Sequence, residues 1–156
     1  MRPIPSRPAL SRIARAALAL EVFLAIGALA GGIALMVGPR GEIIPLKVSS
    51  LAGSPFDTFF VPGLILFSIL GLGPLVAALL VWLRHPLAPL AAFVIGVGLL
   101  IWLAVEIAVI GYSNDPPLQP FYLILGSAIT LVAVGWIVRE RATLLQDAHI
   151  PQRHRA

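Results

Sequence analysis

"LVWLRHPLAPL", Leu80 to Leu90, sets one arginine and one histidine between two long apolar runs. The run before it reaches back to about Thr58, and the run after it extends to Ile110. At a rise of about 1.5 Å per residue, either run crosses a hydrocarbon layer about 30 Å thick. A short polar break between two such runs predicts a transmembrane hairpin. Its arginine also says which side the turn faces, because basic residues are retained on the cytoplasmic side.

Working outward, two further spans appear. The expected helices cover about 13–37, 58–83, 87–110 and 119–138. The fold class is therefore all-α: a polytopic membrane protein forming a bundle of four transmembrane helices. A basic segment, 1–12, precedes the 13–138 transmembrane domain, and a basic tail, 139–156, follows it. Arg2, Arg7, Arg12 and Arg15 crowd the first end, and Arg139, Arg141, Arg153 and Arg155 the last. With Arg84 in the turn, an even number of spans puts every basic cluster on one side. Both termini are expected in the cytoplasm.

Composition agrees. Of the 156 residues, 59% are hydrophobic and 12% charged, and the mean hydropathy is +0.98. Soluble domains carry about 25% charged residues. The formal charge of +4 invites a nucleic-acid reading, but the arginines flank apolar runs instead of lining one folded face, so no nucleic-acid partner is expected. Without cysteine there is no disulfide, thiol nucleophile or CxxC redox pair. The N-terminus has the basic head of a signal peptide. Its apolar body from Ile13 to Val37 is too long for one, so an uncleaved first helix is expected.

The second helix opens on "SPFDTFFVPG", Ser54 to Gly63. Ser54 as N-cap, Pro55 at the first helical position and Asp57 at the third would satisfy free amides and meet the positive helix end. Asp57 is accordingly a capping residue first and a ligand-contacting candidate second. Farther along, "GLGP", Gly71 to Pro74, interrupts the same helix. Neighbouring helices commonly heal such a break.

Chemistry has few carriers here. His85, His149 and His154 all fall in the turn or the tail, and none has zinc-site spacing. No catalytic residue, metal or cofactor is predicted. Away from the first residues of each span, the polar residues are Glu21, Ser68, Glu106, Ser127 and Thr130. An intramembrane carboxyl is costly and is a functional candidate by default. Glu21 stands about 12 Å above the cytoplasmic start of its helix, and Glu106 about 6 Å below the outer end of its own. The two should not share a site. Glu21 is within plausible reach of Arg15 or Arg84. Glu106 has no basic residue in its own loop and is expected near Asn114, Tyr122 or Ser127. That makes Glu106 the stronger candidate, with Glu21, Asp57 and Tyr122 beside it.

Small residues supply close-packing faces: Gly27 and Gly31 in the first helix, Ala92 and Gly96 in the third. They suit packing within the chain, and equally a homodimer or a partner membrane protein. Membrane lipid is the other expected partner. Trp82 and Trp136 mark the cytoplasmic ends of their helices, and Tyr112 and Tyr122 the outer ends.

The series "LAGSPFxxxxVPGLIL", "GLGPLxAAxL", "GLLIWLAVEIAxIG" and "LQPFY", from Leu51 to Tyr122, resembles a family of small bacterial four-helix membrane proteins of unassigned function. That resemblance implies a multi-pass protein of the bacterial cytoplasmic (inner) membrane and no particular chemistry. "LALEV", Leu18 to Val22, on the first of four helices is also similar to the small multidrug resistance exporters, where Glu21 would be the proton-coupled carboxylate. Three functions follow as expectations. The first is a non-enzymatic accessory or structural subunit. The others are a small dimeric proton-coupled transporter and a carboxylate-dependent enzyme or binding protein for a lipid at the outer leaflet.

Overall fold

The computed structural model describes residues 9–112 and 117–148. The terminal arginines at 2, 7, 153 and 155, together with Asn114, His149 and His154, lie outside them. The described chain forms four helices long and apolar enough to span a membrane. They are α1 Arg12–Val37, α2 Phe60–Trp82, α3 Ala88–Ile110 and α4 Leu118–Ala148. Among the described residues there is no strand. The protein is an all-α, multi-pass membrane protein. Only 17–33% of each apolar window is buried inside the bundle. Ile124 is 71% and Leu131 72% exposed. Apolar surface on that scale requires lipid as its solvent.

Local chemistry starts and stops the helices. Ser11 caps α1, its hydroxyl accepting from the Ala14 N–H at 3.2 Å. The Arg84–Pro86 turn reverses the chain with Arg84 at a φ of 57°, and His85 Nδ1 accepts from the Leu87 N–H at 3.2 Å. Helix α4 differs from expectation by running past Val138 to Ala148. Apolar content ends near Val138, but "RERATLLQDA" holds only residues an α-helix accepts, with neither glycine nor proline to end it.

Helix α2 crosses without a break but not with uniform winding: Leu66–Leu72 is π-helical. Pro74 has no N–H for the carbonyl of Leu70, and its ring crowds that carbonyl. The wider turns lie just ahead of it. Helices α1 and α2 run antiparallel in near contact. A Cβ on Gly32 would fall 2.8 Å from the Phe67 nitrogen and 2.9 Å from the Gly63 oxygen. On the other side, α3 meets α4 where a Cβ on Gly96 would fall 2.8 Å from the Thr130 nitrogen. Backbones come this close only over glycine.

The segment from Gly38 to Phe59 is a folded cover over one end of the bundle. The Phe59 N–H donates to the Pro39 carbonyl at 2.8 Å, tying its end to its start. Gly41, at a φ of 93°, passes so near Leu46 that a Cβ would stand 2.0 Å from its carbonyl oxygen, so only glycine fits. Leu51 and Phe59 are buried with Leu35 of α1, and Ile44, Leu46 and Phe56 pack around them. A 3-10 turn, Val48–Leu51, delivers Leu51 to that cluster.

The helix-start reading of "SPFDTFFVPG" needs correction. Helix α2 begins at Phe60 with Phe59 as its N-cap, and the side chain that accepts from its first amide is Thr58 Oγ1, at 3.4 Å from the Phe60 nitrogen, not Ser54 or Asp57. Ser54 Oγ instead accepts from the Phe56 N–H at 3.2 Å, closing a local turn. Asp57 is exposed on the cover. The pattern matched a cap, but the Phe59–Pro39 bond holds the chain in the cover until Phe60.

Candidate functional site

Beneath the cover lies a cavity of about 240 Å³. Its floor and sides come from α1 (Leu24, Ala28), α2 (Leu66) and α3 (Leu99, Leu103), and its roof from Phe56 and Phe59 of the cover. Trp102 lies half-buried on its wall. An apolar cavity of roughly 150 Å³ in a protein core stays dry and takes up benzene. This larger one has room for an apolar group beyond a single ring.

One polar group interrupts the wall. Glu106, half-buried, faces the cavity. Its Oε1 accepts from Gln119 Nε2 at 3.1 Å. The same Nε2 donates at 3.1 Å to the carbonyl of Gly111, the C-cap of α3. Both partners are acceptors, so the amide nitrogen must face them, which fixes the orientation of Gln119. Gln119 is itself 5% exposed. A buried amide thus holds one carboxyl oxygen and the end of α3 together.

Tyr122, expected in an interfacial aromatic belt, turns inward. Its hydroxyl lies over Gly27, where a Cβ would come within 2.8 Å of it. Its ring meets Phe121 edge-on at 5.3 Å, and Phe121 meets Phe23 of α1 at 5.9 Å. Glu106 and Tyr122 line the same cavity. Asp57 and Glu21 do not.

Glu21 stands alone. It is fully buried on the inner face of α1, and among the described residues neither carboxyl oxygen has a hydrogen-bond partner. Among the described residues, the expected contact of Glu21 with Arg15 or Arg84 is not made. Close approaches of Gly32 to Phe67 and of Gly71 to Leu29 define the α1–α2 register. Continuing that register brings Glu21 level with Ala77 and Ala78, both buried.

The other intramembrane polar groups are satisfied by their own helices. Ser68 donates to Leu64 O at 2.6 Å, Ser127 to Leu123 O at 2.8 Å and Thr130 to Gly126 O at 2.8 Å. Among the described residues no three His, Asp or Glu side chains gather as metal ligands. Gly27, Gly31, Ala92 and Gly96 all pack against the chain's own helices or lie buried within them. Sequence reasoning missed Gln119. Its only signal was a lone amide in "LQPFY" at the head of an apolar helix.

No protein-family profile, curated protein or solved structure matches the chain. Nothing ties it to a named family, and its site must be interpreted from its own geometry.

Proposed function

We propose that this is a non-enzymatic protein of the bacterial cytoplasmic membrane that binds the apolar part of an amphiphile in the covered cavity, on the outer side. One observation supports this above the rest: an apolar cavity inside a membrane bundle, roofed by a folded loop and carrying one oriented polar group. Ligand sites commonly have this composition, mostly apolar with a few placed polar groups. Arg84 in the short turn, with arginines at both chain ends, supports cytoplasmic termini and an outward-facing cover. Reporter fusions after Arg40, Arg84 and Arg141 should read outside, inside and inside. An inside signal at Arg40 would invert the arrangement.

Binding can be followed through Trp102 in a Trp82→Phe/Trp136→Phe background reconstituted in lipid nanodiscs. Titration with 10-bromodecanol should quench Trp102 along a saturating curve. Val109→Phe, which fills the cavity from its half-buried wall, should flatten that curve. Quenching that rises linearly and equally in both proteins is simple partitioning into lipid, and would reject the site.

Glu21, buried and with no hydrogen-bond partner for either carboxyl oxygen among the described residues, favours a second reading, a small dimeric proton-coupled transporter, since ionisable groups inside a membrane commonly serve as proton relays.

A further inference from the structure

We infer that the cavity selects lipophilic amines: amphiphiles whose ammonium head meets Glu106 while the chain lies among Leu24, Leu99 and Leu103. This rests on the cavity reading above and adds the head-group chemistry.

The electrostatics come first. Of the described residues lining the cavity, none is basic, and Glu106 is the one carboxyl. Arg40 and Lys47 are exposed on the cover and do not line it. A carboxyl in an apolar wall is stabilised by a cation brought to it, and a ligand can supply what the chain does not. Gln119 strengthens the case. Its amide donates to Oε1, so that oxygen acts as an acceptor and the carboxyl is held at the wall. An ammonium carries three donors and no acceptor, which matches a carboxylate.

Aromatic faces supply the rest. Phe56, Phe59, Trp102 and Tyr122 line the same cavity as Glu106. Ring faces attract ammonium groups, more strongly once water is excluded. A carboxylate head would meet Glu106 with like charge and is selected against. A neutral alcohol gains one hydrogen bond but no charge compensation.

The test keeps the tail constant and changes only the head. Trp102 quenching is titrated with 10-bromodecylammonium, 10-bromodecanol and 10-bromodecanoate in nanodiscs of uncharged lipid. The ammonium should bind about ten-fold or more tighter than the alcohol, as a charge-assisted hydrogen bond predicts. The carboxylate should bind most weakly. Glu106→Gln keeps an acceptor for Gln119, and should erase the ammonium advantage while moving the alcohol's affinity less than about two-fold. Asp57→Asn removes an exposed acid that does not line the cavity, and should leave the ammonium preference in place. Two results overturn the inference: equal affinity for ammonium and alcohol, or an ammonium preference that survives Glu106→Gln. In either case saturable binding of the alcohol still upholds the cavity as a site. Only the absence of saturation for all three heads removes the underlying reading as well.

Discussion

Glu21→Leu is expected to stabilise the protein. In the wild type a carboxyl is fully buried on α1, with no hydrogen-bond partner for either oxygen among the described residues. An unsatisfied buried polar group costs about 1–3 kcal/mol. Even a buried ion pair replaced by well-packed apolar residues of similar volume is often neutral or more stable by about 1–4 kcal/mol. Leucine removes the polar atoms and keeps most of the volume, so a gain of about 1–3 kcal/mol is expected. For a chain of this size each kcal/mol moves the melting temperature by about 2–4 °C. Glu21→Gln should gain little, because the amide is as unsatisfied as the acid. The measurement is thermal unfolding of the three proteins in one detergent, followed by circular dichroism. A Leu variant melting below the wild type would mean that Glu21 makes a stabilising contact. The same proteins address the second functional reading. If Glu21 exchanges protons, Glu21→Leu should abolish proton flux in proteoliposomes while raising stability, the trade expected of a functional group kept at a structural cost.

Gly32→Ala and Gly96→Ala act in the opposite direction. At Gly32 the new methyl would lie 2.8 Å from the Phe67 nitrogen and 2.9 Å from the Gly63 oxygen. At Gly96 it would lie 2.5 Å from Thr130 Oγ1 and 2.8 Å from the Thr130 nitrogen. Backbone atoms cannot turn aside as a flexible side chain can, so the helices must separate. Each substitution should cost about 1–3 kcal/mol or more through overpacking. Gly98 is the internal control, since a Cβ there meets nothing within 4 Å. Gly98→Ala should be neutral, or gain up to about 1 kcal/mol of helix propensity. Comparable melting temperatures for Gly32→Ala and Gly98→Ala would show that α1 and α2 do not pack as described.

Sequence by itself determined that there are four spans, because a backbone in hydrocarbon must satisfy its own hydrogen bonds. A long apolar run therefore has helix as its one open solution. Both ends of α1 and α3, and the C-terminal end of α2, came within a residue or two for the same reason. The end of α4 did not, since the apolar run stops at the membrane surface whereas helix formation from Arg139 onward depends on propensity. Glu21 and Glu106 were both visible as costly groups, separated by their depth and by the arginines in reach of Glu21 alone. Their surroundings were not visible. Lipid-facing and interior positions are equally apolar, so hydropathy cannot tell Ile124, which is exposed, from Ile129, which is buried. Only packing assigns the faces. Packing also folds the segment from Gly38 to Phe59 over the bundle, ties Phe59 to Pro39 and delays the start of α2 past its apparent cap. The cavity gathers Phe56, Glu106 and Tyr122 from three separate segments. No local pattern encodes their meeting, because it depends on how closely helices approach over glycines far away in the chain.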